Sequence, residues 1–194
     1  MAKTATRLIV GISGASGTIY GVRLLEMLRK TDIETHLVMS KSADVTLTYE
    51  TDLKPRDVRA LASVHYPVTD IGAAISSGSF PTMGMIVAPC SIRTMSEIAS
   101  GVTASLLSRA ADVVLKEKRR LVLAVRETPL HSGHLRSMIT LAEIGAVIAP
   151  IVPAFYNRPQ SVDDIVNHTC GRLLDLFGID TGIVKRWKGG PAEE

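Results

Sequence analysis

Arg7-Leu8-Ile9-Val10-Gly11-Ile12-Ser13-Gly14-Ala15-Ser16-Gly17 decides the fold. After Arg7 the first run is apolar without polar alternation, the pattern of a strand buried on both faces. Ser13 to Gly17 is a turn of glycine and small residues, and beyond it Ile19, Val22, Leu24, Leu25 and Leu28 recur at helical spacing. Strand, glycine turn and helix follow one another within about twenty residues, and the rest of the chain repeats the alternation.

Glu34–Met39 reads as a second strand, closed by Ser40, and residues 54–62 as a helix. Residues 63–80 are Ser- and Gly-rich towards their end and carry no clear period. A strong strand over 85–90 precedes helical patterns over 92–100 and 105–117, and 121–125 is a further strand. Residues 131–144 form a helix closed by Gly145, 146–153 a last strand, and Ser161 with Asp164 a capping box opening a helix that Gly178 stops. The strands are apolar throughout, so the expected fold is α/β: a mostly parallel, doubly wound sheet with helices on each side.

The 194 residues make one domain, and 46% hydrophobic with 21% charged residues excludes a disordered chain. Twenty-two Lys and Arg against 19 Asp and Glu leave a net charge of +3. That is too little for a nucleic-acid binder despite a pI near 9.0, and 4% aromatics argues against base stacking. Two cysteines, Cys90 and Cys170, make no disulfide framework and fit a reducing compartment. Leu8-Ile9-Val10 is too short for a signal sequence, and no apolar run reaches membrane-spanning length, so the expectation is a cytoplasmic protein without a membrane span. A mean hydropathy of +0.22 is high for a chain this small, which points to apolar surface hidden between subunits.

Backbone N–H groups and the dipole at a helix start favour an anion, so the first turn suits a phosphate. The glycines are Gly11, Gly14 and Gly17, whereas the dinucleotide fingerprint needs a glycine at 13, where this chain has Ser13. That fingerprint also wants an acid closing the second strand; here the strand closes on Met39-Ser40-Lys41. Both departures favour a mononucleotide such as FMN over NAD. The alternative is that the glycines only let helix and strand pack closely. Ser40, Cys90-Ser91, Arg126-Glu127 and Tyr156-Asn157-Arg158 also fall at carboxyl ends of strands, where open parallel sheets bind ligands. Ser91 suits a helix cap and a ligand contact equally.

The turn over 11–17, Ser76-Ser77-Gly78-Ser79, Pro89-Cys90-Ser91, Arg109 to Glu117, Leu121-Val122-Leu123, Arg126-Glu127-Thr128-Pro129-Leu130 and Pro153-Ala154-Phe155-Tyr156 together resemble the UbiX-like flavin prenyltransferases. The resemblance covers residues 7–187. It implies a Rossmann-like three-layer α/β/α sandwich, with 1–188 as one flavin-binding domain and 189–194 as a disordered tail. It implies alkylation of reduced FMN by the dimethylallyl group of dimethylallyl phosphate, across flavin N5 and C6. The product, prenylated FMN, is handed to a UbiD-type decarboxylase, in ubiquinone biosynthesis or aromatic-acid decarboxylation, and family members assemble as dodecamers. Carried over, the FMN site is Gly14, Ala15, Ser16, Ser40, Ser91, Ile92, Arg93, Thr94 and Arg126. The prenyl phosphate site is Lys116, Arg126, Glu127, Tyr156 and Arg172, with Arg109 and Trp187 nearby. Glu50 matches a carboxylate that the family places near the flavin on a flexible segment. At Arg93 the family carries shorter or Lys-bearing side chains, but contacts there are expected from the backbone.

The chemistry suits these residues. Cleaving an allylic phosphate leaves an anion, which Lys116, Arg126 and Arg172 can neutralise and the Tyr156 hydroxyl can bind. Glu127 is placed to protonate the departing phosphate, and Ser16 with Glu50 to orient or relay the N5 proton. No Asp-rich diphosphate motif occurs; Asp163-Asp164 opens a helix, so the reaction is expected to need no metal. Plainer readings stand beside these. Arg109 and Lys116 fit solvated charges of an amphipathic helix, Cys90 a small core residue, Tyr156 core packing and Trp187 a subunit anchor. His131 and His134 have ligand spacing but no further donors. Direct decarboxylation, as in flavin Cys-decarboxylases, and a non-catalytic flavin carrier are the competing functions.

Overall fold

The computed structural model describes residues 6–184 and Arg186. Its frame is one six-stranded sheet in the order β3-β2-β1-β4-β5-β6, with every pair parallel. The strands are β1 (Arg7–Ile12), β2 (Glu34–Met39), β3 (Val64–Tyr66), β4 (Gly84–Cys90), β5 (Arg120–Val125) and β6 (Ala146–Ile148). The order is that of the doubly wound Rossmann sheet, as expected, and it reverses between β1 and β4.

Alternating side chains divide the core in two. Leu8, Val10 and Ile12 of β1, Ile86 and Ala88 of β4, and Val122 and Ala124 of β5 pack against α1 (Thr18–Leu28) and α7 (Val162–Asp175). Ile9, Met85, Val87, Leu121 and Leu123 face the other way, under α4 (Ile92–Ala99), α5 (Leu106–Lys116) and Leu141 of α6 (Ser132–Glu143). A sheet between two helical layers is the expected three-layer sandwich. Leu24, Leu25 and Leu28 of α1 are fully buried; each contributes about 1.5–3 kcal/mol through removal from water.

The departures from the sequence reading have local causes. Lys41–Glu50 forms a helix, α2, that no periodicity announced, because only Ala43 and Leu47 are buried in it. The helix expected over 54–62 is the shorter α3 (Pro55–Arg59), and β3 lies within the stretch that carried no period. β6 ends at Ile148, short of the expected 153, where Pro153 has no N–H to continue the alternate donations to β5. The chain still follows β5, with Ala149 N and Ile151 N donating to Leu123 O and Val125 O at 2.9 and 3.0 Å. β2 is not apolar throughout: Thr35 and His36 are both 2% exposed. The Thr35 and Ser63 hydroxyls lie 3.3 Å apart, and His36 Nδ1 is 2.9 Å from the Tyr66 hydroxyl, so both polar groups have partners across the β2–β3 edge. Among the described residues no helix is long and apolar enough to cross a membrane. Trp187 and the tail over 189–194 lie outside the described residues.

Ser13, the residue that broke the dinucleotide pattern, ties the switch point together. It is fully buried; its hydroxyl donates to Pro89 O at 2.8 Å and accepts from Ser91 N at 2.7 Å. Ser13→Ala removes the acceptor of the part-buried Ser91 N, while Pro89 O keeps the Ser13 backbone N–H at 3.2 Å, so the variant is expected to lose about 1 kcal/mol, lowering Tm by roughly 2–4 °C. Calorimetry of the variant checks this, and an unchanged Tm refutes it.

Candidate functional site

Three helices begin at the carboxyl edge of the sheet, and each is capped by a serine. Ser40 accepts from Ala43 N in α2 at 3.0 Å, and Ser91 from Thr94 N in α4 and Ser105 from Ser108 N in α5, both at 3.3 Å. All three serines line one cavity of about 500 Å³, with Lys41, Ser42, Arg93 and Thr94. The volume is within the usual range for small-molecule sites of about 300–1,000 Å³. Three helix starts, the serine hydroxyls and Lys41 favour an anionic group there.

The glycine turn packs beside this site, against Ser42. A Cβ on Gly14 would lie 2.4 Å from Ser42 Cβ, so the turn's backbone runs directly against the first turn of α2. Gly17 precedes α1 at φ +96°, a left-handed conformation glycine adopts without strain, and contributes no side-chain cap. Glu50, the last residue of α2, supplies it instead. Its carboxylate accepts from Gly17 N at 2.9 Å, and from Thr18 N and the Thr18 hydroxyl at 3.0 Å. Partial burial pushes its pKa up, but hydrogen bonds from the Ser16 hydroxyl, Thr18 and Gly17 outweigh that and hold it below the usual glutamate range. Glu50 is therefore an ionised cap at the end of a helix rather than a carboxylate on a loose segment.

Because its folded pKa is depressed, Glu50 stabilises the fold above its unfolded pKa, and the contribution disappears as pH falls through the folded value. Glu50→Gln is expected to lower stability at pH 7 by about 1 kcal/mol, the worth of a helix cap. The gap between the two proteins narrows as the solution is acidified below about pH 4. Denaturant titrations at pH 7 and pH 3.5 test this; a pH-independent gap would mean the carboxylate charge plays no part.

A second cavity, of about 600 Å³, lies on the α7 side of β6. Tyr156 enters it from the loop after β6, His168 and Arg172 from α7, and Arg186 from the chain beyond. Tyr156 Oη is 2.9 Å from His168 Nε2. Arg172 Nη1 is 2.6 Å from Asp175 Oδ2, and Arg186 grips the same carboxylate at 2.9 and 3.0 Å. The apolar wall is Ala149, Val152, Leu173 and Leu176. Anion-binding groups beside an apolar wall suit a small organic phosphate.

The remaining expected residues are not gathered by one chain. Arg126 and Glu127 are exposed after β5, with the Glu127 carboxylate accepting from Thr128 N at 3.0 Å. Arg109 pairs with Asp112 at 2.9 Å. Lys116 ends α5 and pairs with Glu117 at 2.5 Å, while the nearby Arg119 donates to Gly78 O and Phe80 O at 2.6 and 2.8 Å. α5 and α7 lie in opposite layers of the sandwich, so Arg109 and Lys116 do not reach the Tyr156 and Arg172 cavity in one protomer. Arg93 lines the serine cavity at its open side, with an 86% exposed side chain paired to Glu97, and Ile92 follows the Ser91 cap without lining the cavity.

Cys90 is fully buried and its thiol is pushed up to about 12 by burial, which makes it a core residue. His131 Nδ1 accepts from Gly133 N and His134 N as the cap of α6. Among the described residues no three His, Cys, Asp or Glu side chains cluster as metal ligands. The sequence reading did not single out Ser42, Ser105, His168, Asp175 or Arg186. Of these, Ser105 just before a helical period and His168 four residues before Arg172 were legible as spacings.

Anion-binding helix starts at the switch point of a mononucleotide-type Rossmann sheet define a flavoprotein-like class, and the Flavoprotein family model matches residues 1–174. Within that class the chain belongs to the UbiX flavin prenyltransferase family. It is 63% identical over 186 residues to Flavin prenyltransferase UbiX of Escherichia coli K12, covering 94% of this chain and 98% of that protein. The crystal structure of AnUbiX (PadA1) in complex with FMN and dimethylallyl pyrophosphate superposes with a TM-score of 0.95 at 50% identity, covering 96% of this chain and 99% of that one. A dodecameric FMN-dependent Ubix-like decarboxylase from Escherichia coli O157:H7 does so with a TM-score of 0.93 at 51% identity, over 95% and 100% of the chains.

Proposed function

We propose that the protein joins the dimethylallyl group of dimethylallyl phosphate to N5 and C6 of reduced FMN and releases prenylated FMN to a UbiD-type decarboxylase. The observation that carries this reading is the pair of distinct anion sites, one made of helix starts and serines and one of Tyr156 and Arg172 beside an apolar wall. The serine-lined cavity fits part of a flavin mononucleotide: Ser40, Ser91 and Thr94 offer hydroxyls from its wall, and Gly14, Ala15 and Ser16 offer backbone N–H groups from the turn packed beside it. Reduced FMN supplies the nucleophile, so no side chain has to form a covalent intermediate.

The protein's own task is the phosphate. Arg172 and Tyr156 hold it in one protomer, while Lys116, Arg109, Arg126 and Glu127 come from neighbouring copies or from surfaces that an assembly closes. The apolar wall takes the five-carbon chain and keeps water from an electron-poor allyl group. Glu127 gives a proton to the departing phosphate. These cations carry the leaving-group charge without a metal. The one adjacent Asp pair is already engaged, Asp163 with Arg23 at 3.0 Å and Asp164 as the α7 capping box. Leu135, Ile139 and Ile144 on and beside α6, with Val152 and Phe155 near the second cavity, are exposed apolar residues suited to subunit contacts. A homo-oligomer such as a dodecamer joins the two half-sites.

Anaerobic incubation with reduced FMN and dimethylallyl phosphate, followed by mass spectrometry of the flavin, tests the reading. A gained C5 unit, with undiminished yield in chelator, supports it. Unchanged flavin with CO₂ released from an added acid replaces it with direct decarboxylation, and neither outcome leaves a flavin carrier.

A further inference from the structure

His168 stands where the phosphate reading needs a second residue behind Tyr156. It is 7% exposed and sits on α7 four residues before Arg172, so the two share a helix face. Its Nε2 is 2.9 Å from Tyr156 Oη, and the rings meet edge to face with centroids 5.4 Å apart. Tyr156 itself lies in a turn closed by Arg158 N donating to Phe155 O at 3.0 Å and is 47% exposed, so the His168 contact bears on where its hydroxyl points. His168 also lines a small cavity of about 70 Å³ with Asn157 and Asn167, and Asn157 Oδ1 is buried without a hydrogen-bond partner.

The phenol has one proton and the neutral imidazole has one. Burial, and then the Arg172 charge, push the His168 pKa below its usual value against the opposing pull of Asp175, so the ring is neutral near pH 7. Two arrangements satisfy the short Tyr156–His168 contact. In one, the phenol donates to Nε2 and offers an incoming anion only lone pairs. In the other, Nε2–H donates to Oη and the phenol proton is left to donate onward. A phosphate held by Arg172 discriminates between them, since it stabilises only the chain Nε2–H to Oη–H to phosphate oxygen, and successive hydrogen bonds polarise one another. The unpartnered Asn157 Oδ1 makes the small cavity that His168 also lines a polar one, with room for a water.

We propose that His168 is a positioning residue for the prenyl phosphate: donating its Nε2–H to Tyr156 Oη fixes the phenol ring and turns the phenol proton towards the phosphate. The inference rests on the phosphate reading of the Tyr156 and Arg172 cavity. A leucine at 168 packs but cannot donate, whereas a glutamine has an amide N–H of similar reach.

The test uses the FMN-loaded protein. His168→Leu is expected to raise KM for dimethylallyl phosphate about tenfold, and to weaken inhibition by inorganic phosphate equally, with FMN affinity unchanged. His168→Gln is expected to stay within threefold of the parent. In a Tyr156→Phe background, His168→Leu should add nothing, because the hydroxyl it acts through is gone. A normal KM and normal phosphate affinity in His168→Leu overturn the proposal, as does a further tenfold loss in the Tyr156→Phe background. Direct binding of inorganic phosphate, followed by calorimetry, gives the same comparison without turnover. A parent protein that transfers no C5 unit therefore refutes the function above, while the phosphate series still decides the role of His168.

Discussion

Gly14→Ala is expected to abolish flavin retention while leaving the protein folded. The added methyl would lie 2.4 Å from both Cβ and Oγ of Ser42 and 3.0 Å from its carbonyl carbon. These atoms belong to the first turn of α2, which the Ser40 cap and the buried Ala43 and Leu47 hold in place, so they cannot swing aside like the tip of a long side chain. Either the glycine turn or the start of α2 must move, and the start of α2 lines the cavity in which Ser40, Ser42 and Ser91 converge. A displacement of about 1 Å breaks several hydrogen bonds to one phosphate at once. The expected loss of FMN affinity is at least about 100-fold, or roughly 2.7 kcal/mol. The sheet does not depend on this contact, so Tm should fall by only a few degrees. Fluorescence titration with FMN and a thermal melt measure the two effects separately. Affinity within threefold of the parent would show that the turn does not cradle the ligand.

The same turn shows how far the sequence could be read. Apolar strands without alternation can only be strands covered on both faces, so β1, β4 and β5 and the parallel sheet were legible. The capping box at Ser161 and the Ser91 cap were legible because a cap depends on neighbours three residues away. Helix α2 was not, because its burial is confined to Ala43 and Leu47 and a helix held mainly by its ends leaves no period to detect. β3 was hidden because a three-residue edge strand is stabilised by β2, a partner distant in sequence. Ser13 was noticed only as a missing glycine, while its work of joining two loops 76 residues apart appears only after the sheet brings Pro89 and Ser91 beside it. Glu50 was singled out by resemblance, but its role as the cap of another helix depends on the packing of α1 against α2. The prenyl phosphate set, legible only through the resemblance, lies on both layers of the sandwich, and no reading of one chain can close it.

That division makes the largest functional prediction one about two chains. Lys116→Ala and Arg172→Ala are each expected to reduce prenyl transfer by about 100- to 1,000-fold, because each removes a cation facing the developing charge on the leaving phosphate. Co-expressed in equal amounts with different tags and purified as mixed oligomers, the two inactive variants should recover activity. Lys116 lies at the end of α5 in one helical layer and Arg172 on α7 in the other, with the sheet between them, and neither of the two cavities described above is lined by both. On the proposed function, a complete site would therefore take Lys116 from one copy and Arg172 from the next. Each damaged chain still carries the cation its neighbour lacks. With random assembly about one site in four receives two intact contributions, so recovery should approach a quarter of the parent rate, against about 1% or less for either variant alone. Were the two cations to serve the same site from one chain, every site in the mixture would lack one of them, and mixing would restore nothing. FMN affinity separates this from damage to the flavin cavity, since neither residue borders it and both variants should bind flavin as the parent does.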